Sequence, residues 1–337
     1  MIGRIIKIHS DFYYADTEEG VIEAKLRSVL KKRRQEVYIG DWAVLEQFDK
    51  NSMQAFISEI KPRSSVLMRP KAANITRIII VSPFKEPDLD FEQLDRCIAL
   101  AEYHKIEPVL CFNKEDTAGA EKLKAEAEKI YKPLGYKMIF TSALEKTGID
   151  EIRPLLKDNV SVLCGVSGAG KSSLINAVLN SSRQKTGAVS AKTQRGAHTT
   201  RHSELIQTDK NSYTADTPGF SQLKFNFLLP SEIQKLFAEF KGMQAECRFK
   251  NCLHTGGNGC GFENIIQNMA ASRYESYKKF ILEAEEYEEK ISNSSIKKEE
   301  NAKYNNKRVM TKISHKKRAL TRRTAKQKLY KEETDYE

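Results

Sequence analysis

No stretch of this 337-residue chain approaches the roughly 18 consecutive apolar residues that a membrane-crossing helix needs. The first residues, MIGRIIKIHSDFYYADTEEG, lack the basic-then-apolar order and small-residue cleavage site of a secretory leader. A cytoplasmic protein without a membrane partner is therefore expected, and a monomer. No internal repeat is present, which excludes a solenoid or propeller. Acidic residues are missing from residues 307–331 (KRVMTKISHKKRALTRRTAKQKLYK), a stretch holding eleven Lys and Arg that matches the whole formal net charge of +11. The body of the chain is thus not basic overall. A tail with one Tyr and few large apolar residues cannot bury a core. It reads as disordered by itself, serving either solubility or contact with nucleic-acid phosphates. Cysteine is sparse, at six. Cys97, Cys111 and Cys164 lie in apolar segments and read as buried thiols. The other three fall within 14 residues beside a histidine, a spacing that suggests metal in a reducing compartment and not disulfides.

Residues 1–60 hold the short β-like runs GRIIKIH, FYYADT, VIEAKLR, VYIGDWAVLEQ and QAFISEI, divided by Gly, Asp or charged turns. That density of short strands points to a small barrel such as an OB-fold. A basic loop, Lys31-Lys32-Arg33-Arg34, interrupts it and is a candidate for RNA contact. Residues 61–73 (KPRSSVLMRPKAA) read as a linker. Beyond it, ITRIIIVS, EPVLCF, YKMIF, SVLCG, SELIQT and SYTAD read as strands. FEQLDRCIALAEYH, AEKLKAEAEKIY and the segment after Lys171 read as helices. Apolar strands alternating with helices indicate an α/β sheet covered on both faces. From about residue 230 the pattern turns helical: SEIQKLFAEF, with Ser231 as N-cap, then a cysteine cluster, then RYESYKKFILEAEEYEEKI.

The phosphate-binding signature is complete. Gly165-Val166-Ser167-Gly168-Ala169-Gly170-Lys171-Ser172 fits G-x-x-x-x-G-K-[ST], follows the strand SVLC, and precedes Ser173 and a helix. Its glycines let backbone N–H groups close around phosphate oxygens at a helix N-terminus. Lys171 is expected at the β- and γ-phosphates, and Ser172 on Mg²⁺. Base choice comes from elsewhere. Asn113-Lys114-Glu115-Asp116 follows the strand PVLCF and fits N-K-x-D. One carboxylate, Asp116, can accept from both the N1–H and the N2 amine of guanine; adenine would leave it unpaired. Asn113 is expected to tie this loop to the phosphate loop, and the Lys114 stem to cover the base. Thr141-Ser142-Ala143 matches the element that offers a backbone N–H to guanine O6.

Asp216-Thr217-Pro218-Gly219 matches D-x-x-G. Asp216 is expected to hold Mg²⁺ through water, and the Gly219 N–H to bind the γ-phosphate. Within Gly196-Ala197-His198-Thr199-Thr200, Thr200 is favoured over Thr199 as the further Mg²⁺ ligand. The residue after Asp216-Thr217-Pro218-Gly219, Phe220, stands where Ras-type GTPases carry a water-orienting glutamine. Phenylalanine cannot polarise water, so His198 is the internal candidate for that role. Cys247, Cys252, His254 and Cys260 give C-x4-C-x-H-x5-C, three thiolates and one imidazole suited to one tetrahedral structural zinc ion.

The usual order of these motifs is phosphate loop, switches, N-K-x-D, S-A. Here the last two come first, a circular permutation that still allows the usual sheet. The combination GRIIKI, RPKAANITRIIIV, EQLDR, NKED, TSA, GVSGAGKSSLIN, GAHTTR, DTPGF and the cysteine cluster resembles the circularly permuted YjeQ/RsgA family, the ribosome small subunit-dependent GTPases. The resemblance covers residues 1–290. It implies late action in small-subunit assembly, the subunit and its rRNA as partners, stimulation of the GTPase by the subunit, GTP/GDP with Mg²⁺, and zinc at the matching cysteines. Family members often carry an acid between the histidine and the last cysteine; residues 255–259 here have none.

The expected fold is multidomain: an OB-like barrel over 1–65, a circularly permuted P-loop GTPase domain over 66–225, a mostly helical zinc-binding domain over 226–292 and a basic tail over 293–337. The leading reading is a GTP hydrolase that assists or checks small-subunit maturation, coupling hydrolysis to release. Two alternatives stand beside it: an RNA-binding switch that senses GTP without hydrolysing it, which Phe220 keeps open, and an ATP-using kinase, which Asp116 argues against.

Overall fold

The computed structural model describes residues 1–68, 71–186, 204–216, 224–241, 247–256 and 259–303. Five strands open the chain: β1 (Ile2–His9), β2 (Phe12–Thr17), β3 (Gly20–Leu26), β4 (Trp42–Asp49) and β5 (Gln54–Ile60). They close into a barrel in the order β1-β2-β3-β5-β4. Every second residue points inward, as the strand period requires: Ile5, Ala15, Ile22, Ala24, Leu45 and Ile57 fill its interior. The expected basic loop is instead a single helical turn, α1 (Ser28–Lys32), between β3 and β4, with Lys31, Lys32 and Arg33 all exposed.

The expected linker is also structured. Two three-residue strands, β6 (Val66–Met68) and β7 (Lys71–Ala73), pair antiparallel. Leu67 and Ala72 are fully buried and join the core of the next domain. Strands this short show no readable alternation. Arg63 completes the junction by reaching the buried Asp41 with Nε at 2.7 Å and Nη2 at 2.9 Å.

The central sheet takes β8 (Arg77–Pro83), β9 (Glu107–Asn113), β10 (Lys137–Thr141), β11 (Val160–Cys164), β12 (Leu205–Asp209) and β13 (Ser212–Asp216) in the order β10-β9-β8-β11-β13-β12. Only β12 runs antiparallel. The helices α2 (Phe91–Tyr103) and α3 (Ala120–Tyr131) pack on one face; α4 (Ile149–Leu156) and α5 (Lys171–Thr186) pack on the other. The strands serve both: Ile78, Ile80, Leu110, Phe112, Val162 and Cys164 face α2 and α3, while Ile79, Val81, Val109, Cys111 and Leu163 face α4 and α5. A strand buried on both faces reads as a continuous apolar run, as ITRIIIVS does. Helix α4 (IDEIRPLL) went unread because Pro154 sits inside it.

Beyond β13, α6 (Pro230–Ile233) starts on Leu229, not Ser231, because Pro230 occupies the first helical position. The Leu229 N–H donates to Glu232 Oε2 at 2.8 Å. The expected helix through SEIQKLFAEF breaks into α6 and two 3-10 turns, with Phe237 extended between them. Its ring is fully buried against Tyr277 and Phe280. Then follow α7 (Glu263–Asn268) and α8 (Ala271–Lys303). The chain divides into two compact units, Met1–Glu288 and Glu289–Glu337. The tail stretch 307–331 lies outside the described residues.

Helix α8 is fastened to α2 by a ladder of charges. Arg273 Nη1 lies 2.9 Å from Asp95 Oδ1, Arg96 Nη1 2.7 Å from Glu283 Oε2, and Lys279 Nζ 2.7 Å from Glu92 Oε2. The first pair is buried; Arg273 also holds Glu239 at 2.7 Å, and Tyr131 donates to Asp95 at 2.7 Å. Burial works against the Arg273 charge, but Asp95 and Glu239 outweigh it and raise its pKa. Burial already pushes the Asp95 carboxyl above its ordinary range, so removing Arg273 leaves a buried acid without its partner. Arg273→Met is expected to lower unfolding stability by about 3–5 kcal/mol in urea titration. The double change Arg273→Met with Asp95→Asn should recover part of that loss.

Candidate functional site

In an open sheet, ligands gather where strand order reverses, beyond the carboxyl ends of the strands. Here the chain runs outward through β8, β9 and β10, then returns to β11 on the other side of β8. The phosphate-loop signature stands at this reversal, between β11 and α5. Gly165 has φ +137°, and a Cβ there would lie 2.0 Å from the Val81 carbonyl oxygen. Only glycine lets the loop leave β11 so close to β8. Lys171 Nζ donates to the carbonyls of Gly165 at 3.0 Å and Val166 at 2.9 Å, spanning the loop from its far end. Ala169 is buried; Ser167, Gly168, Ser172 and Ser173 are exposed at the mouth.

The base-recognition signature arrives from the end of β9. Asn113 is buried, and its Nδ2 donates to the Ala169 carbonyl at 2.8 Å. Its Oδ1 accepts from Thr141 Oγ1 at 3.1 Å and from the Ala143 N–H at 3.3 Å. One carboxamide thus joins three separate sequence motifs. Ser142 is buried, with Oγ accepting the Glu145 N–H at 3.0 Å. Lys114, in the left-handed region at φ +65°, sends Nζ to the Glu86 carbonyl. Glu115 is paired with Lys124 at 2.6 Å, while Asp116 is exposed, free of the sheet's packing. Asp216 ends β13, beside the end of β11. His198, Thr199, Thr200, Gly219 and Phe220 lie outside the described residues. Beneath the loop, burial pushes the Cys111 thiol up to about 12 and the Cys164 thiol well above its ordinary value. Both stay protonated, as packing groups.

Cys247, Cys252, His254 and Cys260 come together with all ligand atoms within 4.8 Å of one another. His254 Nδ1 lies 3.5 Å from both Cys247 Sγ and Cys260 Sγ. The His254 ring packs against Phe262, with centroids 4.3 Å apart, and Tyr277 donates to the Leu253 carbonyl at 2.7 Å. Three sulfurs and one ring nitrogen converging on one point fit the donor set of a tetrahedral metal ion.

The sheet, the loops and the barrel match known proteins. Family models described as the RsgA N-terminal domain, the RsgA GTPase and a 50S ribosome-binding GTPase match residues 2–57, 60–226 and 160–304. The small ribosomal subunit biogenesis GTPase RsgA of Caldanaerobacter subterraneus subsp. tengcongensis is 38% identical over 290 residues, covering 86% of this chain and 97% of that protein. The chain belongs to the RsgA family of circularly permuted GTPases. The RsgA of Clostridium perfringens strain SM101 is 38% identical over 285 residues, 84% of this chain and 98% of its own length. Among solved structures, YjeQ from Thermotoga maritima superposes with a TM-score of 0.72 at 31% identity, over 84% of this chain and 98% of that one. YloQ, described as a circularly permuted GTPase, gives 0.69 at 27% identity, over 85% and 95%. As a family member this chain is a GTP hydrolase that uses GTP and Mg²⁺. Among the described residues no helix is long and apolar enough to cross a membrane.

Gly170 makes a direct test of the joint. It sits at φ +90°, and a Cβ there would lie 2.3 Å from Asn113 Nδ2. Gly170→Ala should cost about 1–3 kcal/mol of local strain and push the two loops apart. The expected result is at least a roughly tenfold weaker GTP affinity by calorimetry, with the fold retained by circular dichroism.

Proposed function

We propose that this protein is a GTPase that binds the small ribosomal subunit, assists or checks its late maturation, and couples subunit-stimulated hydrolysis to release. The observation that carries this reading is the occurrence, in one chain, of barrel, permuted GTPase and Cys/His cluster, matched along 97% of a relative named for small-subunit biogenesis. The match described as 50S ribosome-binding spans only 160–304 and leaves out the barrel; the small subunit is therefore the preferred partner. The barrel and the cluster domain would grip rRNA, with the exposed Lys31, Lys32 and Arg33 supplying phosphate contacts.

In the nucleotide site, the exposed Asp116 carboxylate would accept the two guanine donors while Lys114 covers the ring. The Ala143 N–H, whose bond to Asn113 is long at 3.3 Å, would turn partly to guanine O6. The backbone of Gly165–Lys171 would cradle the phosphates, with Lys171 moving from the loop carbonyls to the β- and γ-oxygens. Ser172, Thr200 and, through water, Asp216 would hold Mg²⁺, whose charge offsets that developing on the transferred phosphoryl oxygens. Gly219 would contact the γ-phosphate and His198 would orient the attacking water in place of a glutamine. Cys247, Cys252, His254 and Cys260 would hold one zinc ion in a structural role, since all four positions are supplied by the protein.

Phosphate release measured with purified small and large subunits tests the function. A rise of tenfold or more with small subunits alone is expected, abolished by Ser172→Ala; stimulation by large subunits only would overturn the partner. For the metal, elemental analysis should find one zinc per chain. Cys252→Ser should lose it and lower the unfolding midpoint, because a structural zinc supplies folding free energy to its loop. Full stability in a metal-free preparation would remove the structural role.

A further inference from the structure

The barrel is attached to the GTPase sheet at one particular place. Strands β2, β1 and β4 are neighbours, and Arg4 stands in register with Asp16 on one side and Trp42 on the other. The alternate residues Gly3 and Ile5 are buried, so Asp16, Arg4 and Trp42 form a row across the barrel's outer face. A β-bulge follows, where the β1–β2 register shifts between Ile5 and Lys7. Ile6, on the outer side by the strand period, packs with the cluster that contains Leu205 and Tyr213. Lys7 then makes a β-bridge with Glu204 and an ion pair at 3.4 Å.

Tyr213 lies over this row. Its hydroxyl donates to Asp16 Oδ2. Burial and the Asp16 charge push its pKa up to about 12, so it remains a donor. The Arg4 guanidinium stacks 4.2 Å from the Trp42 ring and 5.4 Å from that of Tyr213. Arg4 Nε and Nη1 are buried and find no hydrogen-bond partner among the described residues. Buried N–H groups without acceptors are costly, more so on a charged group. The cross-strand acceptor is Asp16, whose Oδ2 is engaged by Tyr213. A turn of the Asp16 carboxylate away from Tyr213 would bring it to Arg4 and satisfy these donors.

The hairpin gripped in this way is β12–β13, which separates the two candidate switch segments. Glu204 opens it and Asp216 closes it, three positions after Tyr213. We propose that Arg4, Asp16 and Tyr213 are positioning residues that couple the nucleotide state to the barrel. When Asp216 engages the metal of bound GTP, β13 shifts, Tyr213 yields Asp16 to Arg4, and the guanidinium moves on Trp42. This rests on the GTPase reading above. Given these two arrangements, linkage requires that whatever presses on the barrel row also bias the choice between GTP and GDP.

Trp42 is the chain's single tryptophan, so the full-length protein carries its own reporter. Its emission is to be compared with GDP and with a non-hydrolysable GTP analogue, with binding of each followed by calorimetry. The expected result is a difference in emission between the two nucleotide forms that is lost in Arg4→Met and in Tyr213→Phe. In those variants the ratio of GTP-analogue to GDP affinity should change by about fivefold. Should Arg4→Met fail to fold, Tyr213→Phe, which keeps the ring, carries the test alone. Identical emission while calorimetry shows both nucleotides bound overturns the coupling and leaves the GTPase reading intact, as does a difference that survives in Tyr213→Phe. Absence of binding by either nucleotide would sink both.

Discussion

The nucleotide site depends on the buried carboxamide of Asn113. Circular permutation puts the base loop and the phosphate loop in different parts of the chain, with 56 positions between Asn113 and Ala169. Sequence proximity cannot align them. A carboxamide can, because it offers donor and acceptor at once: Nδ2 to the phosphate loop, Oδ1 to Thr141 and Ala143. A carboxylate in this place would have no donor, and a hydrophobic residue would leave buried backbone groups unsatisfied, at about 1–3 kcal/mol each. The close approach of Gly165 to Val81 and of Gly170 to Asn113 follows from the same requirement, since both glycines let the loop press against strands made earlier in the chain.

A second principle orders the periphery. Each neighbouring domain is tied to the GTPase sheet just past a candidate switch segment. The barrel holds Glu204, the first described residue after residues 187–203. The cluster domain holds Phe225, close after residues 217–223. Its N–H donates to Glu283 Oε2 at 2.9 Å, and its ring packs against Phe280 with centroids 4.8 Å apart. Glu283 is the same residue that Arg96 grips from α2. The two outer domains thus meet the GTPase sheet through short, charged and aromatic contacts.

Much of this was legible in the residues because the GTPase sheet uses strong local signals. Ile78 to Val81 form an unbroken apolar run, the phosphate loop is flanked by a strand and a helix, and five short strand-like runs divided by turns crowd the first 60 residues. The fold class follows from these. What escaped reading is set by contacts between distant residues. The strands flanking Arg69-Pro70 are too short to carry a period. Phe237 leaves the helical path because its ring is claimed by α8, a demand that no window around residue 237 contains. The ladder between α2 and α8 was hidden for a different reason: Asp95 and Arg96 look like the polar face of an amphipathic helix until α8 covers them. The joint at Asn113 follows from N-K-x-D standing beside a phosphate loop; Thr200, His198 and Gly219 lie outside the described residues.

The pairing of Asp95 with Arg273 spans 178 positions, and that separation has a consequence for how the chain is made. Translation delivers the barrel, α2 and the whole GTPase sheet before the guanidinium that neutralises Asp95. Until the C-terminal helix leaves the ribosome, α2 presents an uncompensated carboxylate, and Phe225 and Phe237 have no cover. A nascent chain stalled before α8 therefore holds the complete set of phosphate and base motifs on a helix layer that cannot yet close. Helix α8 acts as the fold's lock, so the order of synthesis makes completion of α8 a condition for the layer beneath it to become rigid.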